Sequence, residues 1–440
     1  MREEMKNIFQ IATNHKREFY SLVVALFIFL IPSNWFLKWI GPFAYSNQVL
    51  IDYAIPKLYL TDLFLFFGGI WGVHILSQSL QKSKRTTYVI SAILSGFFLI
   101  QLYASHAHPA TVAMSVRFLF LILSVHFFIH QKSQIYFLWI RRALVIAVFF
   151  QTLLATSQFF IHRELFGYWF FGEPILNTSL STIAKTEGEI RPLPYGTFPH
   201  PNVLAGFGVW SYVMIWLISK RTSSRNTVDQ FFVLICAGVL CVITQSLSAT
   251  IALGIAFGLV EIKRAVSLRN SSTGNAIHSF WVQYARILSL LVCVVFVAVP
   301  LIVNVLARSF SHSASLVRRA QLNSIAYNMI SAHPLFGVGL SQFSRVEEQY
   351  GTVTASYRFT QPVHHVGLLV LAELGFGGLF LIILFYLFAH NMYSVHFEDL
   401  FLSGVSFLSI LTLDHYFFSL QQGLIMSSLL LAIIITKKDF

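Results

Sequence analysis

About twelve apolar runs divide this chain, and most approach the length of about 20 predominantly apolar residues that an α-helix needs to cross a bilayer. They fall roughly at 19–38, 57–77, 88–104, 112–130, 143–161, 202–219, 229–245, 247–261, 287–306, 363–388, 399–413 and 417–436. Such runs have to satisfy their backbone polar groups inside hydrocarbon, which favours helices. Hydrophobic residues make up 56% and charged residues 11% of the 440, against roughly 25% charged in soluble domains. Mean hydropathy is +0.69. The expected fold is all-α: one polytopic membrane domain over residues 1–440, with about 12 transmembrane helices and no fixed-period repeat.

Orientation follows from where Lys and Arg collect in short loops. With a cytoplasmic N-terminus, the inner segments hold Lys16 and Arg17, Lys82 and Arg85, Lys132 and Arg142, Lys220 and Arg221, Lys263 and Arg269, and Lys437 and Lys438. Both termini then face the cytoplasm, and the first apolar run reads as an uncleaved helix. Two long segments, 162–201 and 307–362, face outward. The net charge of +12 is then mostly a topology signal that also favours anionic membrane lipids. It gives no basic patch on a soluble fold, so a nucleic-acid partner is not expected. Cys236, Cys241 and Cys293 all fall in apolar runs, where they serve packing and neither staple the outer loops nor form a thiolate metal cage. Trp35, Trp39, Tyr168 and Trp169 lie near outer boundaries, where amphipathic rings favour headgroups. The polar stretch 262–286, with Ser271–Asn275 at its centre, reads as a flexible inner connector.

The second outer loop carries its own periodicity. Leu322, Ile325, Ala326, Met329 and Ile330 recur at three and four, which predicts an amphipathic helix over 318–332 that His333-Pro334 closes. Arg318 and Arg319 open this helix on either side of its apolar stripe. Within the spans, Asp62 and Arg117 lie at similar depth and are expected to pair or to line a cavity, since an isolated intramembrane charge is costly. Glu373 is expected to support structure, by bonding another helix or orienting the Gly375, Gly377 and Gly378 segment.

Three segments, in order, resemble the O-antigen ligase and polysaccharide polymerase superfamily of bacterial envelope enzymes. They are Arg191 to Phe207 (RPLPYGTFPHPNVLAGF), Arg319 to Gly339 ending in HPLFGVG, and His364 to Gly375 (HHVGLLVLAELG). The resemblance covers about residues 185–380 directly, and Asp414-His415-Tyr416 followed by Gln421-Gln422-Gly423 is similar to a pattern in some members. It implies a bacterial inner-membrane glycosyltransferase that moves a glycan from a polyprenyl (undecaprenyl) diphosphate carrier to a lipid or glycan acceptor at the outer face. It also implies inversion at the anomeric carbon, with no metal and no cofactor.

By match to the family's motifs, Arg191, Arg319 and His364 become the candidate catalytic residues. Guanidinium groups stay protonated and grip phosphate oxygens bidentately, and an imidazole can take the acceptor's proton near neutral pH. The same arginines would also suit lipid phosphates as topological anchors. His365 stands where the family usually has Asn, so either His364 or His365 is the working base. Substrate-binding candidates are Arg318, His365, Asn202, Asp414 and His415; Asn202 is also expected to cap the helix that follows it. Solvent or headgroup contact is expected for Arg163, Arg308, Arg318, Arg345 and Arg358. A repeat-unit polymerase and a lipid-linked oligosaccharide flippase remain the alternative readings.

Overall fold

The computed structural model describes residues 2–82, 84–132, 135–177, 183–186, 189–222, 227–269, 294, 298–306, 314–351 and 360–437. Arg308, Arg358, Cys293, the 270–286 connector and half of the ninth apolar run lie outside the described residues. Helices α1 (Arg2–Leu30), α2 (Leu60–Lys82), α3 (Lys84–Ala104), α4 (Pro109–Gln131), α5 (Phe137–Ile161), α6 (Pro201–Arg221), α7 (Thr227–Thr244) and α8 (Leu247–Arg269) form the first part of a bundle. After them come α9 (Ala314–Ala332), the short α10 (Phe343–Val346), α11 (Val366–Met392), α12 (Phe397–Leu413), the short α13 (Tyr416–Ser419) and α14 (Gln421–Ile434).

The protein is a helical membrane protein, but the expectation of about twelve crossings is met only in part. Among the described residues, six helices are long and apolar enough to cross a membrane: 60–77, 109–131, 137–161, 201–221, 227–244 and 366–384. The first run does not continue to residue 38, because α1 stops at Leu30. Pro32 lacks an N–H and disfavours helical geometry in the residue before it. The chain then forms β1 (Phe36–Lys38), paired antiparallel with β4 (Lys57–Tyr59) with Leu37 opposite Leu58. The last run is also divided, and the 14 residues of α14 rise only about 21 Å. The frame is mostly helical as expected, with four short two-stranded antiparallel sheets added: β1 with β4, β2 (Tyr45–Ser46) with β3 (Val49–Leu50), β5 (Ile183–Thr186) with β6 (Glu189–Pro192), and β7 (Tyr393–Val395) with β8 (Ile435–Lys437). All of them connect helix ends, where sheet edges need not face hydrocarbon.

Helix α6 is the centre of the bundle, with 89% of its apolar window buried. Its Trp210 donates from Nε1 to the Met426 carbonyl of α14 at 2.8 Å. Helix α2 lies close on α4 because Gly68, Gly69 and Gly72 leave room for Ser124, Phe120 and Leu123. Near one end of this pair Asp62 and Arg117 form an ion pair: Arg117 donates from Nε to Asp62 Oδ1 at 3.2 Å and from Nη2 to Oδ2 at 3.1 Å. Gln421 Nε2 also donates to Oδ1 at 2.7 Å and the Tyr59 amide to Oδ2 at 2.8 Å, so this partly buried carboxylate ties β4 and α14 to the pair.

Helix α11 is not straight. At Gly375 its backbone turns to φ 63°, ψ −176°, a region nearly restricted to glycine. The freed peptide groups bond to the segment after α9: Phe376 N–H donates to Pro334 O at 2.8 Å, Gly377 N–H to Leu335 O at 2.7 Å, Val338 N–H to Ala372 O and Gly339 N–H to Glu373 O, both at 2.9 Å. The close partner of Gly375 and Gly377 is therefore the backbone of Leu335 and Phe336. A Cβ at Gly375 would meet that backbone. Gly375→Ala should cost about 1–3 kcal/mol in backbone strain alone, read as a lower thermal unfolding midpoint of the purified protein. An unchanged midpoint would show that this docking does not hold the segment.

Candidate active site

Four segments converge at the end of the bundle where α6, α8 and α11 begin and α12 finishes. The first is the turn before α6. Gln151 and Gln158, seven residues apart on α5, share one helix face. Gln158 Oε1 accepts from the amides of Tyr195 at 3.0 Å and Gly196 at 2.7 Å. Gln151 Oε1 accepts from the Thr197 amide at 3.0 Å, and its Nε2 donates to Thr197 Oγ1 at 2.9 Å. Gln158 Nε2 donates in turn to the fully buried Glu173 at 2.8 Å. The carboxylate of Glu173 also accepts from the amides of Leu165, Phe166 and Gly167 at 2.7–2.8 Å. This scaffold delivers His200 to the start of α6, where its Nδ1 accepts from the Asn202 amide at 3.1 Å. The cap is thus His200 and not Asn202, whose side-chain amide instead donates to Asp414 Oδ2 at 3.1 Å.

The second segment is α9, which begins one turn earlier than the periodicity indicates. It buries Leu322, Ile325, Ala326 and Met329 among Leu368, Leu369 and Ala372 of α11. The third is Val363–His365, just before α11. His365 is buried and its Nδ1 accepts from the Leu368 amide at 3.2 Å, so this imidazole caps the helix. The neighbouring His364 turns to the fourth segment, with its ring edge-on to His415 at 5.3 Å between centroids. His415 also meets the Tyr53 ring at 5.7 Å and hydrogen-bonds Ser419 Oγ through Nδ1. Asp414, buried beside it, accepts from Ser248 Oγ at 3.0 Å.

The electrostatics follow from burial beside fixed positive charge. Burial, and then the Arg319 charge, pushes His200 down to about 4. Burial, and then His200, pushes His415 down to about 3. His364 is held well below the ordinary imidazole value, first by burial and then by His415, Arg319, His200 and Arg318. Burial pushes Asp414 up to about 6, while Arg319 and the bonds from Ser248 and Asn202 pull it down. The result is a group of neutral imidazoles next to guanidinium groups. A neutral imidazole can accept a proton, and a guanidinium can take phosphate oxygens. His364 Nδ1 and Arg319 Nε are buried without a partner among the described residues, so both retain bonding capacity for a bound molecule.

Arg318, Arg319, His364, Asn202, Asp414 and His415 are thus brought together, while His365 turns to capping. Arg191 stands exposed on β6, at the head of the buried stretch that leads to His200, and the guanidinium groups acting on His364 are those of Arg319 and Arg318. Glu373 is apart from His364: its carboxylate accepts from the amides of Ser341 at 3.0 Å and Phe343 at 3.2 Å. Its partners are the loop residue Ser341 and Phe343, the first residue of the short α10, so it bonds the start of another helix as expected. Arg163 is exposed, whereas Arg345 is partly buried with its Nε on Gln342 Oε1, which corrects the expectation of solvent for that residue. Among the described residues no group of three or more His, Cys, Asp or Glu is arranged to hold a metal ion.

Sequence reading missed His200, Tyr53 and Ser248 as neighbours of the site. For His200 a local signal existed, since a polar residue directly before Pro201 at the first helical position is an N-cap pattern. Tyr53 and Ser248 come from a short 3-10 turn and from the start of α8, and no spacing links either to residue 364.

The fold and site together define a polytopic helical membrane protein with an arginine and histidine centre at one end of its bundle. Residues 232–383, about a third of the chain, match the family model described as O-Antigen ligase, and this supports membership of the O-antigen ligase superfamily. No curated protein matches the chain.

The imidazoles give a direct spectroscopic expectation. At pH 6, where an exposed histidine is largely protonated, His200, His364 and His415 should remain neutral in histidine-selective NMR of the full-length protein. Titration of His200 or His415 near 6.5 would contradict the burial that sets them.

Proposed function

We propose that this protein is an O-antigen ligase-type glycosyltransferase of the bacterial cytoplasmic membrane. It moves a glycan from a polyprenyl diphosphate carrier to a lipid or glycan acceptor on the outer face. The observation that carries the reading is the gathering of Arg319, Arg318 and the neutral His364 beside His415 and His200 at one end of a membrane bundle. A family match over residues 232–383, which hold Arg318, Arg319 and His364, supports it.

The chemistry requires little beyond these groups. Breaking the bond between the anomeric carbon and the diphosphate leaves growing negative charge on phosphate oxygens. Arg319, with Arg318 beside it, neutralises that charge as the bond lengthens, and cations placed in advance act without reorganising; Arg191, exposed on β6, joins them on the bound diphosphate. His364, uncharged at neutral pH, takes the proton from the acceptor hydroxyl as its oxygen attacks the opposite face of the sugar, so the anomeric centre inverts. Asp414 and Asn202, bonded to one another, brace the centre, and His415 packs its ring against His364. In this reading His364, not His365, is the base, because the His365 Nδ1 already accepts from the helix. The transfer proceeds without metal. The loops 162–201 and 307–362 face outward, both termini are cytoplasmic, and the whole chain is one domain.

The test is glycan transfer by purified protein given a defined lipid-diphosphate donor and a separate acceptor. Arg319→Ala, Arg191→Ala and His364→Ala should each lower turnover by about 100-fold or more, with the protein still inserted and folded. Arg319→Lys should recover little, because an ammonium lacks the planar fork. Full turnover in Arg319→Ala would remove that residue from the site, and growth of the donor glycan in place of transfer to the acceptor would make the protein a repeat-unit polymerase. Movement of intact donor without bond cleavage would make it a transporter.

A pH dependence follows from Asp414. Below about 6 its carboxylate gains a proton and loses the charge that holds the Asn202 amide and the Ser248 hydroxyl, which loosens the bracing beside His415. Transfer should therefore decline as pH falls through that value, while His364 remains neutral. Asp414→Asn should abolish this acid limb, and a limb that persists unchanged in the variant would have another origin.

A further inference from the structure

At the end of the bundle away from His364, a crevice of about 410 Å³ opens between α6, α7 and α8. Its apolar wall includes Val228, Phe231 and Phe257, which are 73%, 65% and 43% exposed and so continue the lipid-facing surface of α7 and α8. Its polar rim is Gln230, Glu261 and Arg264. Arg264 bonds both Glu261 and Gln230, yet its side chain and that of Glu261 remain 38% and 40% exposed. Gln230 is only 4% exposed, and its Nε2 donor has no partner among the described residues.

These features narrow the ligand. A guanidinium and an unpartnered buried amide donor call for acceptor oxygens, as a phosphodiester supplies. The Glu261 carboxylate opposes a purely anionic group at the same point and calls for a cationic hydrogen-bond donor. The apolar wall calls for hydrocarbon. From Thr227 to Leu234 the wall extends about 10 Å along α7, enough for a headgroup and the upper part of its acyl chains. We propose that this crevice is a specific site for a phosphatidylethanolamine-type lipid. Its phosphate lies on Arg264 and Gln230, its ammonium on Glu261, and its chains along Val228, Phe231 and Phe257. Phosphatidylglycerol brings the anion without the ammonium, and phosphatidylcholine brings a cation without N–H donors. The site is separate from the His364 centre and does not rest on the glycosyltransferase reading.

Native mass spectrometry of the full-length protein tests it, with phosphatidylethanolamine, phosphatidylglycerol and phosphatidylcholine of identical chains added in turn. One phosphatidylethanolamine should be retained about tenfold more tightly than either of the others, equivalent to about 1.4 kcal/mol. Glu261→Gln, close to isosteric, should remove the preference over phosphatidylcholine, and Arg264→Ala should weaken retention of every phospholipid. Equal retention of the three lipids by the unaltered protein would reduce the crevice to ordinary lipid contact and overturn the proposal. So would a preference that survives Glu261→Gln, and so would equally tight binding of tail-free phosphoethanolamine.

Discussion

Peptide N–H groups that leave helical geometry next to a bilayer need acceptors other than water, and buried side chains supply them at the site end of this molecule. Glu173 takes the amides of Leu165, Phe166 and Gly167, Gln158 those of Tyr195 and Gly196, and Gln151 that of Thr197. Glu373 does the same for Ser341 and Phe343. The irregular chain that carries His200, and the loop that follows α9, are fixed by these acceptors. The chain leading to the candidate site is thus held by polar side chains bonded to its backbone.

The same economy governs the histidines. His200 and His365 each use Nδ1 to accept a helix-opening amide, of Asn202 and Leu368 respectively. An imidazole that accepts at Nδ1 is held neutral with its proton on Nε2. For His200, burial and the nearby Arg319 favour that neutral state. Guanidinium groups keep their charge in the same surroundings because their basicity is far higher. One environment thus separates the two residue types, leaving guanidinium cations next to neutral imidazoles.

The opposite end of the bundle is closed by a different device. Lys132, at the end of α4, donates to the Ala432, Ile433 and Ile435 carbonyls at 3.1, 2.7 and 3.0 Å, and Arg221 donates to Ile434 O at 3.1 Å. Cations there satisfy the last carbonyls of the short α14 and complement its dipole. Helices α4, α6 and α14 are pinned together at this end, and the acceptor scaffold orders the other.

Apolar runs of bilayer length dictated helices, and the three-and-four spacing of Leu322, Ile325, Ala326 and Met329 marked α9 with its buried face, because both are local patterns of side-chain chemistry. Pro32 carried the signal that ends α1 early, although run length alone hides it. Similar depth in neighbouring spans indicated that Asp62 and Arg117 belong together, since burying either charge alone is costly. The break at Gly375 was not legible, because a glycine in an apolar helix reads equally well as a packing residue. Which of His364 and His365 turns to Arg319, and that Tyr53 and Ser248 stand beside Asp414-His415, were decided by the tertiary structure alone. Those arrangements arise where segments tens to hundreds of residues apart approach, and sequence periodicity records only which face of an element is buried, not which distant face meets it.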